Sequence, residues 1–108
     1  MTDVDALFGL LADPTRRGVV QLLSEGPRNA GEIASIAGVS GPTMSRHLRV
    51  MLQAGLIADE RHPDDARVRV FRLRPESMAG LQAWLDQIQA HWSEQLASFK
   101  RHVERKAR

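Results

Sequence analysis

The sequence predicts a mainly α fold with a small β-hairpin, its elements ordered α-α-α-α-β-β-α. Three observations predict it. Apolar residues recur at three- and four-residue steps through residues 3–54, broken by capping and turn residues. After Gly55 the pattern changes to two short runs rich in β-formers. From Pro75 a single apolar stripe returns and holds to about Arg105.

The first helix is predicted over Asp3–Ala12, where Val4, Leu7, Phe8 and Leu11 share one face. Asp13-Pro14 starts the second, because an aspartate caps free N–H groups and proline suits a first turn. That helix carries Val19, Val20, Leu22 and Leu23 and stops at Gly26-Pro27. Gly18 interrupts it at a cost of about 1 kcal/mol relative to alanine, and close packing is the expected reason. Asn29 and Glu32 have capping-box spacing and open a short third helix that Gly38 ends. Ser40 caps the fourth, Gly41–Ala54, with Pro42 in its first turn and Gly55 as its stop. Leu56–Arg61 and Arg67–Leu73 flank the polar loop 62–66 and read as a hairpin. The last helix carries Leu81, Leu85, Ile88, Trp92, Leu96, Phe99 and Val103, at steps of four, three, four, four, three and four.

Composition bounds the function. A chain of 108 residues is expected to form one domain, 1–108. The absence of cysteine excludes a disulfide framework, a thiolate nucleophile and a Cys-ligated metal. No apolar run nears the roughly 20 residues of a membrane span, and the start MTDVDALFGLL lacks the positive region of a signal peptide, so a cytoplasmic protein is expected. No carboxylate pair, Ser/His/Asp set or Gly-rich phosphate loop stands in a plausible context, so no enzyme is expected. Charge is uneven: residues 1–60 sum to −2 and residues 61–108 to +4, with five arginines at positions 61, 67, 69, 72 and 74. Clustered arginine without interleaved aromatics suits phosphate, and equally an ordinary solvated hairpin.

A short helix, a Gly-Val-Ser turn, a second helix and a charged hairpin together describe a helix-turn-helix with a wing. Met44, Leu48, Met51 and Leu52 hold the second helix of the motif on the core. Its opposite face is Pro42, Thr43, Ser45, Arg46, His47 and Arg49, short or donor-rich side chains that fit a DNA major groove.

Three strings, LADPTRR (11–17), GEIASIAGVSGPTMSRHLRVMLQAGLI (31–57) and RVRVFRLRP (67–75), carry a resemblance over nearly the whole chain. It resembles the ArsR-type (arsenic-repressor-like) winged-helix transcriptional regulators, and its long tryptophan-bearing last helix looks like the autorepressor-like branch without a metal site. The resemblance implies a homodimeric repressor reading an imperfect palindrome through helix 41–54 and wing 61–69. It implies groove contacts at Pro42, Thr43, Ser45 and Arg46, and a phosphate contact at Ser40. Arg46 is expected to read guanine, since its planar fork can donate to O6 and N7 together. His47 either bonds DNA or packs beside the helix. Arg49 is expected at phosphate, and Arg67 and Arg69 at the backbone or minor groove. Arg16 and Arg17 are expected to be structural, pairing with Glu32 or a helix C-terminus, and Arg72 and Arg74 to be surface or ion-pair residues.

No cofactor is expected. His91 and His102 echo the spacing of two metal ligands in some of these regulators, but Gln89 and Arg105 stand where further ligands would be wanted. A metal-responsive repressor therefore remains an alternative, as does a winged helix used to bind proteins. The last helix needs a cover for its stripe, and the expected cover is a second copy. The expected interface is Leu7, Phe8, Leu11, Leu81, Leu85, Ile88, Trp92, Leu96 and Phe99.

Overall fold

Local capping chemistry sets most of the helix boundaries. The computed structural model describes residues 4–107. Its elements are α1 (Val4–Leu11), α2 (Pro14–Ser24), β1 (Arg28–Asn29), α3 (Ala30–Ala37), α4 (Gly41–Gln53), β2 (Ile57–Arg61), β3 (Arg69–Leu73) and α5 (Pro75–Lys106). Asp3, the expected start of the first helix, lies outside the described residues. The Asp13 carboxylate accepts from the N–H groups of Thr15 and Arg16 at 2.8 and 3.1 Å and opens α2. Asn29 and Glu32 close a reciprocal capping box at α3. Gly38 ends α3 at φ 70°, ψ 30°, a conformation that costs any residue with a Cβ about 1–2 kcal/mol. Ser40 caps α4 through the N–H of Thr43 at 3.3 Å.

One core joins these elements. Leu7, Val19, Ile33, Met44, Met51, Leu56 and Ile57 are each almost wholly buried, and Phe71 closes the sheet side. Val39 packs against this cluster from the turn between α3 and α4 and so fixes their angle. The sheet has three antiparallel strands in the order β1-β3-β2, where the sequence predicts only two. The added strand is two residues long, pairing Arg28 with Phe71 and Asn29 with Val70. It ties the start of α3 to the wing.

Two expectations about packing need correction. Gly18 is not a close-packing glycine, because a Cβ there would meet nothing within 4 Å. Leu7 does not face outward for a partner: it is 0% exposed and belongs to the core of its own chain. Leu11 and Leu81 also pack partly against that core, whereas Phe8 is 44% exposed and meets Trp84 edge-on at 5.1 Å between ring centres.

Beyond Leu81 every described residue of α5 is exposed. The helix has 32 residues, about 48 Å of rise. It stretches the chain to 72 Å in its longest dimension and to a radius of gyration of 19.7 Å, against about 13 Å for a compact domain of this length. Leu85, Ile88, Trp92, Leu96, Phe99 and Val103 therefore stand in water in one copy. Among the described residues no helix is long and apolar enough to cross a membrane.

Candidate nucleic-acid interface

Helix α4 has two chemically distinct faces. Met44, Leu48 and Met51 are buried, so the core fixes the rotation of the helix about its axis. That rotation leaves Pro42, Thr43, Ser45, Arg46 and Arg49 exposed on the outer face. Among the described residues no hydrogen bond or ion pair holds Arg46 or Arg49, so both guanidinium groups present all their donors outward. The Ser40 hydroxyl, by contrast, is already engaged: it accepts from the Thr43 N–H and donates to the Thr43 hydroxyl at 2.9 Å.

His47 is half-buried. The Asp13 carboxyl sits below its ordinary range, held there first by the Arg16 N–H, then by the Thr15 N–H and by the nearby charge of His47.

Ser45, Arg49, Arg67 and Arg69 line one open cleft of about 590 Å³ between α4 and the wing. Asn29 and Gly31, at the start of α3, form part of the same wall, and sequence reasoning did not select them. Their signal lies in the register of β1 beside β3, which two residues of sequence do not reveal. The wing arginines differ from those of α4. Arg69 donates to Asp59 from Nε at 2.9 Å and from Nη2 at 2.6 Å, and its guanidinium lies 5.1 Å over the Phe71 ring. Arg67 grips both carboxylate oxygens of Asp65 at 3.1 and 3.2 Å. The Arg67 side chain, followed by its backbone N–H, holds the Asp65 carboxyl below its usual range.

The other arginines have structural partners. Arg16 Nε donates to the Leu10 carbonyl at 2.7 Å, and Arg17 Nη1 donates to Leu11 and Ala12 carbonyls at 2.8 and 3.1 Å. Both close the C-terminus of α1, one of the two roles the sequence suggested; Glu32 pairs with Arg28 instead, at 3.7 Å. Arg74 pairs with Glu76 at 2.9 Å, while Arg72 is exposed on β3. His91 and His102 are both exposed and stand eleven residues apart on one helix, about 16 Å, too far to share an ion within one copy. Among the described residues no group of three His, Asp or Glu side chains comes together.

A helix-turn-helix whose second helix is bared on its polar face, flanked by an arginine-lined wing, defines a winged helix-turn-helix of the kind that transcriptional regulators use to bind DNA. The comparisons with known proteins agree. Residues 11–60 match a family described as a helix-turn-helix domain. The chain is 36% identical to the HTH-type transcriptional regulator Rv2034 of Mycobacterium tuberculosis, over 93% of this chain and 88% of that protein. It is 42% identical to the transcriptional repressor SdpR of Bacillus subtilis over 51% of this chain and 61% of the repressor. A solved ArsR family transcriptional regulator superposes with a TM-score of 0.71 at 31% identity, covering 82% of this chain and 94% of that one. A homodimeric winged helix-turn-helix DNA-binding domain from Mycobacterium bovis, described as a possible ArsR-family regulator, gives 0.63 at 25% identity, over 85% and 82% of the two chains. The chain belongs to the ArsR family of transcriptional regulators.

Proposed function

We propose that this regulator is a homodimeric repressor that reads an imperfect palindrome in double-stranded DNA, using α4 and the wing of each copy. It would act in the cytoplasm, as a single domain, by occupying a promoter and without catalysis of its own. The observation that carries this reading is the bared face of α4, with Arg46 and Arg49 free of any partner among the described residues while Met44, Leu48 and Met51 lock the opposite face to the core. A major groove admits one such helix. Arg46 is then the base-reading residue, with Pro42, Thr43 and Ser45 beside it; Arg49 and the wing arginines meet the backbone. The Ser40 hydroxyl serves chiefly as a helix cap, so its phosphate contact would come from the same group that already bonds Thr43.

The dimer is supported by α5. Six large apolar residues beyond Leu81 stand exposed in register, more than an isolated small protein tolerates. Their steps repeat every eleven residues, 81 to 92 to 103, a period close to that of a straight helix. Two α5 helices can therefore lie together for much of their length, with Phe8 beside them. Such a pair sets two α4 helices one DNA turn apart, about 34 Å. Repression is the role stated for the Bacillus subtilis relative, and homodimerisation for the Mycobacterium bovis domain.

Fluorescence anisotropy with a labelled duplex tests the reading. Binding that weakens steeply with salt and saturates at two chains per duplex is expected. No salt-sensitive duplex binding would overturn it and leave a protein-interaction module.

A further inference from the structure

The hairpin that would meet a polyanion carries as much acid as base. From residue 57 to residue 73 it holds four carboxylates, Asp59, Glu60, Asp64 and Asp65, against four arginines, Arg61, Arg67, Arg69 and Arg72, so its net charge is zero with His62 neutral. Burial does not demand these carboxylates: the Arg67 side chain is 91% exposed and that of Arg69 48%, so water alone would satisfy their donors. Yet each is held by its own acid, whereas among the described residues Arg46 and Arg49 on α4 are held by none.

The placement of Asp59 is specific. It stands opposite Phe71 in the ladder, and Arg69 lies two residues nearer the tip on the same strand face. The guanidinium thus reaches back over the Phe71 ring to Asp59 and lies along the cleft wall. Arg61 sits directly across from Arg69, a like-charge pairing that disfavours the hairpin, and Asp59 offsets it.

We propose that Asp59 and Asp65 compete with duplex phosphate for Arg69 and Arg67, so that the wing holds back its cations and lowers affinity for random-sequence DNA. This rests on the DNA-binding reading above and deepens it. Carboxylate and phosphate offer the guanidinium fork the same paired oxygens, so entry of a phosphate exchanges one anion for another. The displaced carboxylate is then left beside a phosphate that repels it. The exchange yields little net gain, and free Arg46 and Arg49 supply most of the attraction.

The test measures affinity for a labelled duplex of mixed sequence at about 0.1 M salt. Asp59→Asn and Asp65→Asn should each tighten binding about threefold to fivefold beyond the gain from Glu60→Gln. Glu60→Gln removes the same charge from the same hairpin without releasing an arginine. The extra gain should vanish when Asp59→Asn is made with Arg69→Ala, and Asp65→Asn with Arg67→Ala. Thermal melting of each variant checks that the fold persists; Asp65 lies in the loop, so its pair reports even if Asp59→Asn weakens the hairpin. If Glu60→Gln gains as much, only net charge matters and the proposal falls. It also falls if the gains survive without the arginines, or if both Asn variants bind no better than the parent. Duplex binding absent in every variant would overturn the DNA-binding reading itself.

Discussion

Trp92→Ala separates association from folding. Trp92 lies on the stretch of α5 that leaves its own core, and it is 62% exposed in one copy. A tryptophan offers about 250 Å², so roughly 150 Å² of Trp92 stands in water. If a second copy covers half of that, the loss is about 2 kcal/mol per chain at about 25 cal/mol per Å². Symmetry doubles it to about 4 kcal/mol per dimer, which raises the dissociation constant about a thousandfold. Sedimentation across a dilution series reads that constant directly, and far-ultraviolet dichroism reads whether the core of the chain survives. Glu94→Ala, on the opposite face of α5, is the matched control and should leave the constant unchanged. A Trp92→Ala protein that stays dimeric at the same dilution as the parent would refute the interface.

Further outcomes follow from particular residues. Arg46→Ala should cost about 1–3 kcal/mol of binding and relax preference at one base pair, read by competition with single-base variants of a selected site; unchanged discrimination would remove its base-reading role. Gly18→Ala should raise stability by about 1 kcal/mol in thermal melting, since its Cβ meets open space inside a helix, while Gly38→Ala should lower it by about 1 kcal/mol because φ is 70° there; a loss at Gly18 or a gain at Gly38 would contradict the corresponding reading. Stability should fall as pH drops through the carboxylate range. Asp13, Asp65 and Glu76 all ionise more readily than usual, held first by the Arg16 N–H, the Arg67 side chain and the Glu76 N–H respectively. A carboxyl depressed in the fold stabilises it above its ordinary value and loses that contribution on acidification; a melting temperature that rises between about pH 6 and pH 3 would contradict the assignment.

Local chemistry made most of the fold legible in the sequence. Asp13, Asn29 with Glu32, and Ser40 each satisfy helix N–H groups from within four residues, so their helices announce themselves without knowledge of the rest. The α4 face is legible for the same reason: burial of Met44, Leu48 and Met51 determines what the other side exposes. What escaped depends on distant contacts. β1 has two residues, too few for any periodicity, and exists only because β3 runs beside it. Leu7 and Phe8 share a stripe in sequence, but the tilt of α1 over the core sends one inward and leaves the other beside Trp84. The wing arginines were legible as charge, while their carboxylate partners depend on strand register and loop conformation.

Paired recognition helices on one duplex can be read by selecting bound duplexes from a random pool and counting the chains per duplex by sedimentation. Enrichment of an imperfect palindrome is expected, with half-sites centred about one helical turn apart and two chains on each duplex. Enrichment of nothing, or of a single undivided site held by one chain, would contradict it.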